Sequence, residues 1–168
     1  HRLMKTSIVY VTHDQGEALA MADQIVVMKD GKIEQTGTPE TIYTKPETTF
    51  VAKFVGKASL IEGSWHGNRF KPFQDERVIW TSNSVSNQIV NEGVFPVRPE
   101  QFLLQKEGEG IRGVIRNVLY QGKEIHYTVE VHGKLLNVHC DIFSRFTVGE
   151  EVRVNVVNTK QSASMAII

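Results

Sequence analysis

His13 is the polar residue best placed to do chemistry. It follows the β-branched and aromatic run Thr6-Ser7-Ile8-Val9-Tyr10-Val11-Thr12 and precedes Asp14-Gln15-Gly16. An imidazole at the C-terminal end of a buried strand stands at the edge where open α/β sheets bind ligands. There it can hydrogen-bond a phosphate oxygen or hold an attacking water. The plainer role for the same residue is a turn histidine satisfied by local backbone. His126 and His139 are a second pair of interest. They lie on the polar faces of two predicted strands and could approach across a sheet. Spacing places no third ligand beside them, so no metal site is expected. His1, His66 and His132 follow no pattern. Cys140 falls on an apolar strand face, where a free thiol behaves as a small hydrophobe. Arg98-Pro99-Glu100 reads as a charged turn, a solvated or ion-paired corner. Trp65, Trp80 and Tyr127 are scattered and lack interleaved basic residues, which favours core packing over stacking on bases.

A phosphate loop, G-x-x-x-x-G-K-[ST], would surround phosphates with backbone amides and place a lysine on the terminal ones. Gly56-Lys57 comes nearest, but Val51 stands where the first glycine belongs and Ala58 where the hydroxyl belongs. Gly31-Lys32, Gly122-Lys123 and Gly133-Lys134 fail in the same way. Nucleotide binding by this chain alone is therefore not expected.

These residues must be carried by two kinds of element. The run at 6–12 is not alternating, as in strands buried on both faces of a parallel sheet. Asp14 is a predicted N-cap for a short helix through Ala22. Ile25-Val26-Val27-Met28 and Lys32-Ile33-Glu34-Gln35-Thr36 read as a hairpin around Asp30-Gly31, a pair suited to a type I′ turn. Thr38-Pro39-Glu40 starts a helix, with proline at its first position. A further helix opens at Pro46-Glu47, carries the stripe Phe50, Val51, Phe54 and Val55, and stops at Gly56. From about Ala58 short strands take over: 60–65, 77–80 and 93–97, with a polar loop over 81–88. The strongest alternation is at 124–131, where Ile125, Tyr127, Val129 and Val131 share a face. Leu136, Val138, Cys140 and Ile142 answer it after a His132-Gly133 turn, and Val152, Val154 and Val156 form the last strand. Such strands suggest a small antiparallel barrel of the oligonucleotide/oligosaccharide-binding (OB) type, or a sandwich.

Composition narrows the function classes. The chain has 168 residues, with 19 Lys+Arg against 19 Asp+Glu and a formal net charge of zero. Without a basic cluster it is a poor partner for a phosphate backbone, so no nucleic acid is expected. No run approaches the roughly 18 apolar residues of a membrane span. A single cysteine excludes a disulfide framework and fits a reducing compartment. The chain opens with His1-Arg2-Leu3 and runs straight into a buried-type strand, which suggests a fragment beginning inside an α/β domain.

The first 56 residues closely resemble the C-terminal end of an ABC-transporter ATPase domain. The matching text runs through Ile8-Val9-Tyr10-Val11-Thr12-His13-Asp14-Gln15, Glu17-Ala18-Leu19, Ala22-Asp23, Val26-Val27-Met28 and Gly31-Lys32-Ile33-Glu34-Gln35. It continues with Gly37-Thr38-Pro39-Glu40, Ile42-Tyr43, Pro46 and Phe50-Val51-Ala52-Lys53-Phe54-Val55-Gly56. Gly16 departs from the pattern, which often has an acidic residue there. The rest resembles the TOBE extension of importers that move sugars, polyamines or ferric iron, through Arg98-Pro99-Glu100 and, more loosely, Gly113-Val114-Ile115 and Gly122. The resemblance implies an α+β chain: residues 1–56 as an α/β ATPase remnant and 57–168 as an all-β, OB-like TOBE barrel. It implies that His13 is the switch histidine, touching the γ-phosphate of ATP held with magnesium in a parent ATPase. The chain by itself would then be catalytically inactive, a regulatory and dimerisation module. The partners implied are a second copy (a homodimer), membrane permease subunits and a small regulatory ligand, at the cytoplasmic face of the cell membrane. The competing expectation is a stand-alone OB-like domain that captures a small ligand.

Overall fold

The computed structural model describes residues 7–75 and 77–157. His1 and the rest of 1–6, Glu76, and residues 158–168 at the end of the expected barrel lie outside them.

Residues 7–14 form no strand. This corrects the expectation of a buried strand at 6–12: Ile8, Val9, Tyr10 and Val11 are 70%, 92%, 62% and 85% exposed. A strand needs a neighbour for its amides, and no strand among the described residues pairs with this run. Helix α1 (Gln15–Met21) follows, capped by the Asp14 carboxylate, which accepts the Glu17 N–H at 3.0 Å. Strands β1 (Ile25–Lys29) and β2 (Lys32–Gly37) pair antiparallel. Asp30 and Gly31 have φ of 50° and 75°, the left-handed pair a type I′ turn requires. Helix α2 (Pro39–Thr44) has Thr38 as its cap and proline in its first turn, as expected.

Helix α3 (Thr49–Gly56) starts later than the sequence suggests. The Thr48 hydroxyl, not the Pro46-Glu47 pair, defines its start by accepting the Val51 N–H. Gly56 is its last residue rather than its stop, and Lys57 takes the left-handed φ of 49° beyond it. Val27, Ile42, Val51 and Val55 form one buried cluster across β1, α2 and α3.

Beyond this lies a mostly β region in which two antiparallel sheets share a core. Strands β3 (Ser59–His66), β4 (Arg69–Pro72), β5 (Trp80–Thr81) and β6 (Val94–Val97) stand in the order β5-β4-β3-β6. Pro96 sits on the edge strand β6, where its missing N–H costs no ladder bond. The expected strand at 77–80 shrinks to β5. The Asp75 carboxylate accepts the Arg77 backbone N–H and grips its guanidinium, which draws Arg77 away from the ladder. Part of the expected polar loop is helix α4 (Asn87–Asn91), capped by Ser86 and anchored by the buried Ile89.

A single 3-10 turn (Pro99–Gln101) leads into β7 (Phe102–Gln105), β8 (Ile111–Tyr120), β9 (Glu124–Val131), β10 (Lys134–Asp141) and β11 (Glu151–Val156). Their order is β10-β9-β8-β11-β7. The sheet curls so that its outer strands β10 and β7 approach each other, as in OB-like barrels. Ile61, Phe70, Trp80 and Phe95 from the small sheet pack in one cluster with Ile115, Tyr127, Val129 and Val154 from the large one.

Candidate functional site

Two constructions stand out, and both lie where the barrel meets or nears the N-terminal elements. The first is built on Arg98, immediately after β6. Its backbone N–H donates to Gln101 Oε1 at 2.9 Å, which fixes the turn. Its guanidinium lies over the Tyr43 ring, 4.3 Å from the centroid, and donates to the Tyr43 carbonyl. Gly56 leaves room for this arm: a Cβ there would come within 2.9 Å of Arg98 Nε. Tyr43 also donates its hydroxyl to Glu100 Oε1 at 2.6 Å. Burial, then the Glu100 hydrogen bond, pushes the Tyr43 phenol up to about 12. Burial pulls the Arg98 guanidinium below its ordinary value. The expected solvated corner is therefore a half-buried clamp that fastens α2 and α3 to the barrel.

The second construction is on the β9–β10 hairpin. His132 and Gly133 take φ of 47° and 78°, and the tight turn sets a register in which His126 faces His139. The two imidazoles stack at 3.6 Å with planes 3° apart. Glu124 Oε1 lies 2.7 Å from His126 Nε2 and 3.7 Å from His139 Nδ1. The sequence reading found the two histidines but missed Glu124. The signal was available, because residues two apart on a strand share a face. Hydrogen bonding to His126 draws the Glu124 carboxyl below its usual value. Burial first, then the His126 charge, lowers His139, while Glu124 and Glu100 raise it and Lys57 lowers it.

The other candidates are dispersed. Cys140 is partly buried against the core, and burial, then Asp141, raises its thiol to about 11, which disfavours the thiolate a nucleophile needs. Trp80 and Tyr127 are core residues, and Trp65 packs beside them. His13 lies exposed in a bend before α1, with no hydrogen bond or ion pair among the described residues. The chain carries no phosphate-loop sequence. No helix among the described residues is long and apolar enough to cross a membrane.

Residues 96–159 match the TOBE domain family. The stretch takes in the Arg98 clamp and the His126–His139 hairpin. Across a longer span the chain is 37% identical, over 157 residues, to the Fe(3+) ions import ATP-binding protein FbpC of Fusobacterium nucleatum, covering 90% of this chain and 42% of that one. It is 34% identical over 166 residues to the spermidine/putrescine import ATP-binding protein PotA of Borreliella afzelii, covering 91% and 43%. With the PotA protein of Thermobifida fusca it shares 41% over 134 residues, covering 73% and 34%. The chain thus carries a TOBE domain and is a relative of the ABC-transporter ATP-binding proteins. It spans less than half the length of these curated relatives.

Proposed function

We propose that this chain is the TOBE-bearing part of the ATP-hydrolysing subunit of an ABC importer for a small solute, ferric iron or a polyamine before a sugar. The observation that carries this reading is the exposed apolar run Ile8-Val9-Tyr10-Val11, which ends at His13. Its composition suits a strand buried inside a parallel sheet, and an ATPase domain would supply that sheet. Exposed Val26, Met28 and Ile33 on the β1–β2 hairpin fit burial against the same domain. In that setting His13 stands at the sheet's ligand-binding edge and contacts the γ-phosphate, while ATP and magnesium are held by motifs this chain does not contain. The relatives' names as iron and polyamine import proteins support the solute class. Residues 57–168 act as a regulatory and dimerisation module, paired with a second copy and coupled to membrane permease subunits at the cytoplasmic face.

The test is His13→Ala in the complete ATPase. A group that acts on the terminal phosphate and attacking water lowers turnover more than nucleotide affinity. Turnover should fall by about 10²–10³, with ATP affinity held within a few-fold. A wild-type rate would return His13 to a turn-stabilising role.

A further inference from the structure

The Glu124, His126 and His139 cluster is used by nothing in the function proposed above. It lies on the outer face of the large sheet, with side-chain exposures of 45%, 31% and 26%. The hairpin's core face is built from Ile125, Tyr127, Val129 and Val138, and the cluster has no part in it. Polar groups held this close, yet open to solvent on one side, have the composition of an exchangeable metal site.

We propose that Glu124, His126 and His139 bind a borderline divalent transition ion such as zinc, through one carboxylate oxygen and two imidazole nitrogens. The ligand atoms all lie within 4.8 Å of one another. Two ligands about 2.0–2.1 Å from a tetrahedral ion sit roughly 3.4 Å apart. The observed separations from Glu124 Oε1, 2.7 Å and 3.7 Å, bracket that value. The strand register fixes the three Cα positions, so entry of the ion requires only side-chain rotation. One imidazole must turn out of the parallel stack, because stacked rings aim their lone pairs side by side rather than at one point. The ion takes the place of the hydrogen bond between Glu124 and His126, and the imidazole keeps its proton on Nδ1, the nitrogen that does not bind. Two imidazoles and one carboxylate select zinc and the late first-row ions over magnesium or calcium, which prefer oxygen. Three protein ligands leave a fourth position to water, so the ion exchanges.

The experiment is calorimetric titration of the full 168-residue chain with zinc chloride near neutral pH, repeated with cobalt, magnesium and calcium chlorides. The expected result is one saturable event with zinc and with cobalt, and none with magnesium or calcium. His126→Gln and His139→Gln should each weaken it by about tenfold or more, since even an outer-shell partner is worth that much. His66→Gln and His132→Gln should leave it unchanged. In the unmutated chain, paramagnetic cobalt should broaden the ring signals of His126 and His139 before those of His66 and His132. This arm does not depend on any variant folding. No saturable zinc binding, an isotherm unmoved by His126→Gln and by His139→Gln, or broadening centred on other histidines would overturn the site.

Discussion

The Tyr43 ring lies beneath the Arg98 guanidinium, 4.3 Å away at the centroid, and the Tyr43 carbonyl accepts a hydrogen bond from the same arm. One side chain thus satisfies both the face and the backbone of one residue, across 55 positions of sequence. Together with the Tyr43–Glu100 hydrogen bond it ties α2 to the barrel. Arg98→Ala removes a partly desolvated cation–π contact and a charged hydrogen bond, and should cost about 2–3 kcal/mol. Arg98→Lys should recover little, because an ammonium has neither the planar face nor the fork. Urea unfolding of both variants checks this. Wild-type midpoints for both would show that the clamp holds nothing.

Gly63 in β3 has no room for a side chain. A Cβ there would stand 2.3 Å from the Lys71 carbonyl oxygen and 2.4 Å from the Phe70 ring, both on β4. Phe70 is fully buried among Trp65, Trp80 and Phe95 and cannot swing away. Gly63→Ala should destabilise by about 1–3 kcal/mol, the usual cost of overpacking. Thermal unfolding at the wild-type temperature would refute the tight β3–β4 approach.

Much of this architecture is legible in the residues. Alternation places Tyr127, Val129, Val138 and Val154 inward, and a two-residue turn at His132-Gly133 then forces His126 opposite His139. Caps at Asp14 and Thr38 mark their helices because their side chains have no better partner than a free N–H. The misses have physical causes. The apolar run at 8–11 obeys strand chemistry, yet pairing is a property of two strands and not of one sequence. The strand expected at 77–80 lost to Asp75, whose carboxylate offers Arg77 a local alternative to the ladder. Helix α4 has only Ile89 as a buried anchor, too little for a helical period to show. Arg98 reads as a charged corner until Tyr43 and Gly56, distant in sequence, are seen to enclose it. Alternation puts Glu124 on the same strand face as His126, but the reach of its carboxylate to both imidazoles depends on the rotamers and the β9–β10 pairing.

Trp80 offers a third test. Its ring is 1% exposed, and its indole N–H donates to Asn155 Oδ1 at 2.7 Å, linking β5 to β11 across the core. Asn155→Ala leaves that N–H buried without an acceptor, at a cost of about 1–3 kcal/mol. Its loss also frees the Val156 N–H that Asn155 caps. Denaturant unfolding followed by tryptophan fluorescence reads the change. Unaltered stability would mean that water or a shifted partner replaces the amide at no cost.

The pH dependence of stability should carry a mark from His139. Its imidazole is held below the usual 6.5, first by burial and then by the charge of His126. Lys57 acts in the same direction, and the carboxylates of Glu124 and Glu100 oppose it. A depressed imidazole pKa means that the unfolded chain takes up the proton first. Between the ordinary value and the folded one the unfolded state holds more protons, so stability rises with pH there. Above 6.5 both states are neutral at this residue and the effect is absent. As pH falls through 6.5, the folded state loses ground. Glu124, whose carboxyl lies below its usual value, stays ionised near that point and adds no slope of its own. In metal-free buffer, His139→Gln should therefore unfold with a weaker dependence on pH below about 6.5 than the wild type, while above it the difference between the two stays constant. The other histidines are common to both proteins and largely cancel in the comparison. Urea midpoints measured at intervals from about pH 7.5 to 5 give both curves. If the two run parallel through the whole range, protonation of His139 is not coupled to folding, and the effect assigned to its burial is wrong.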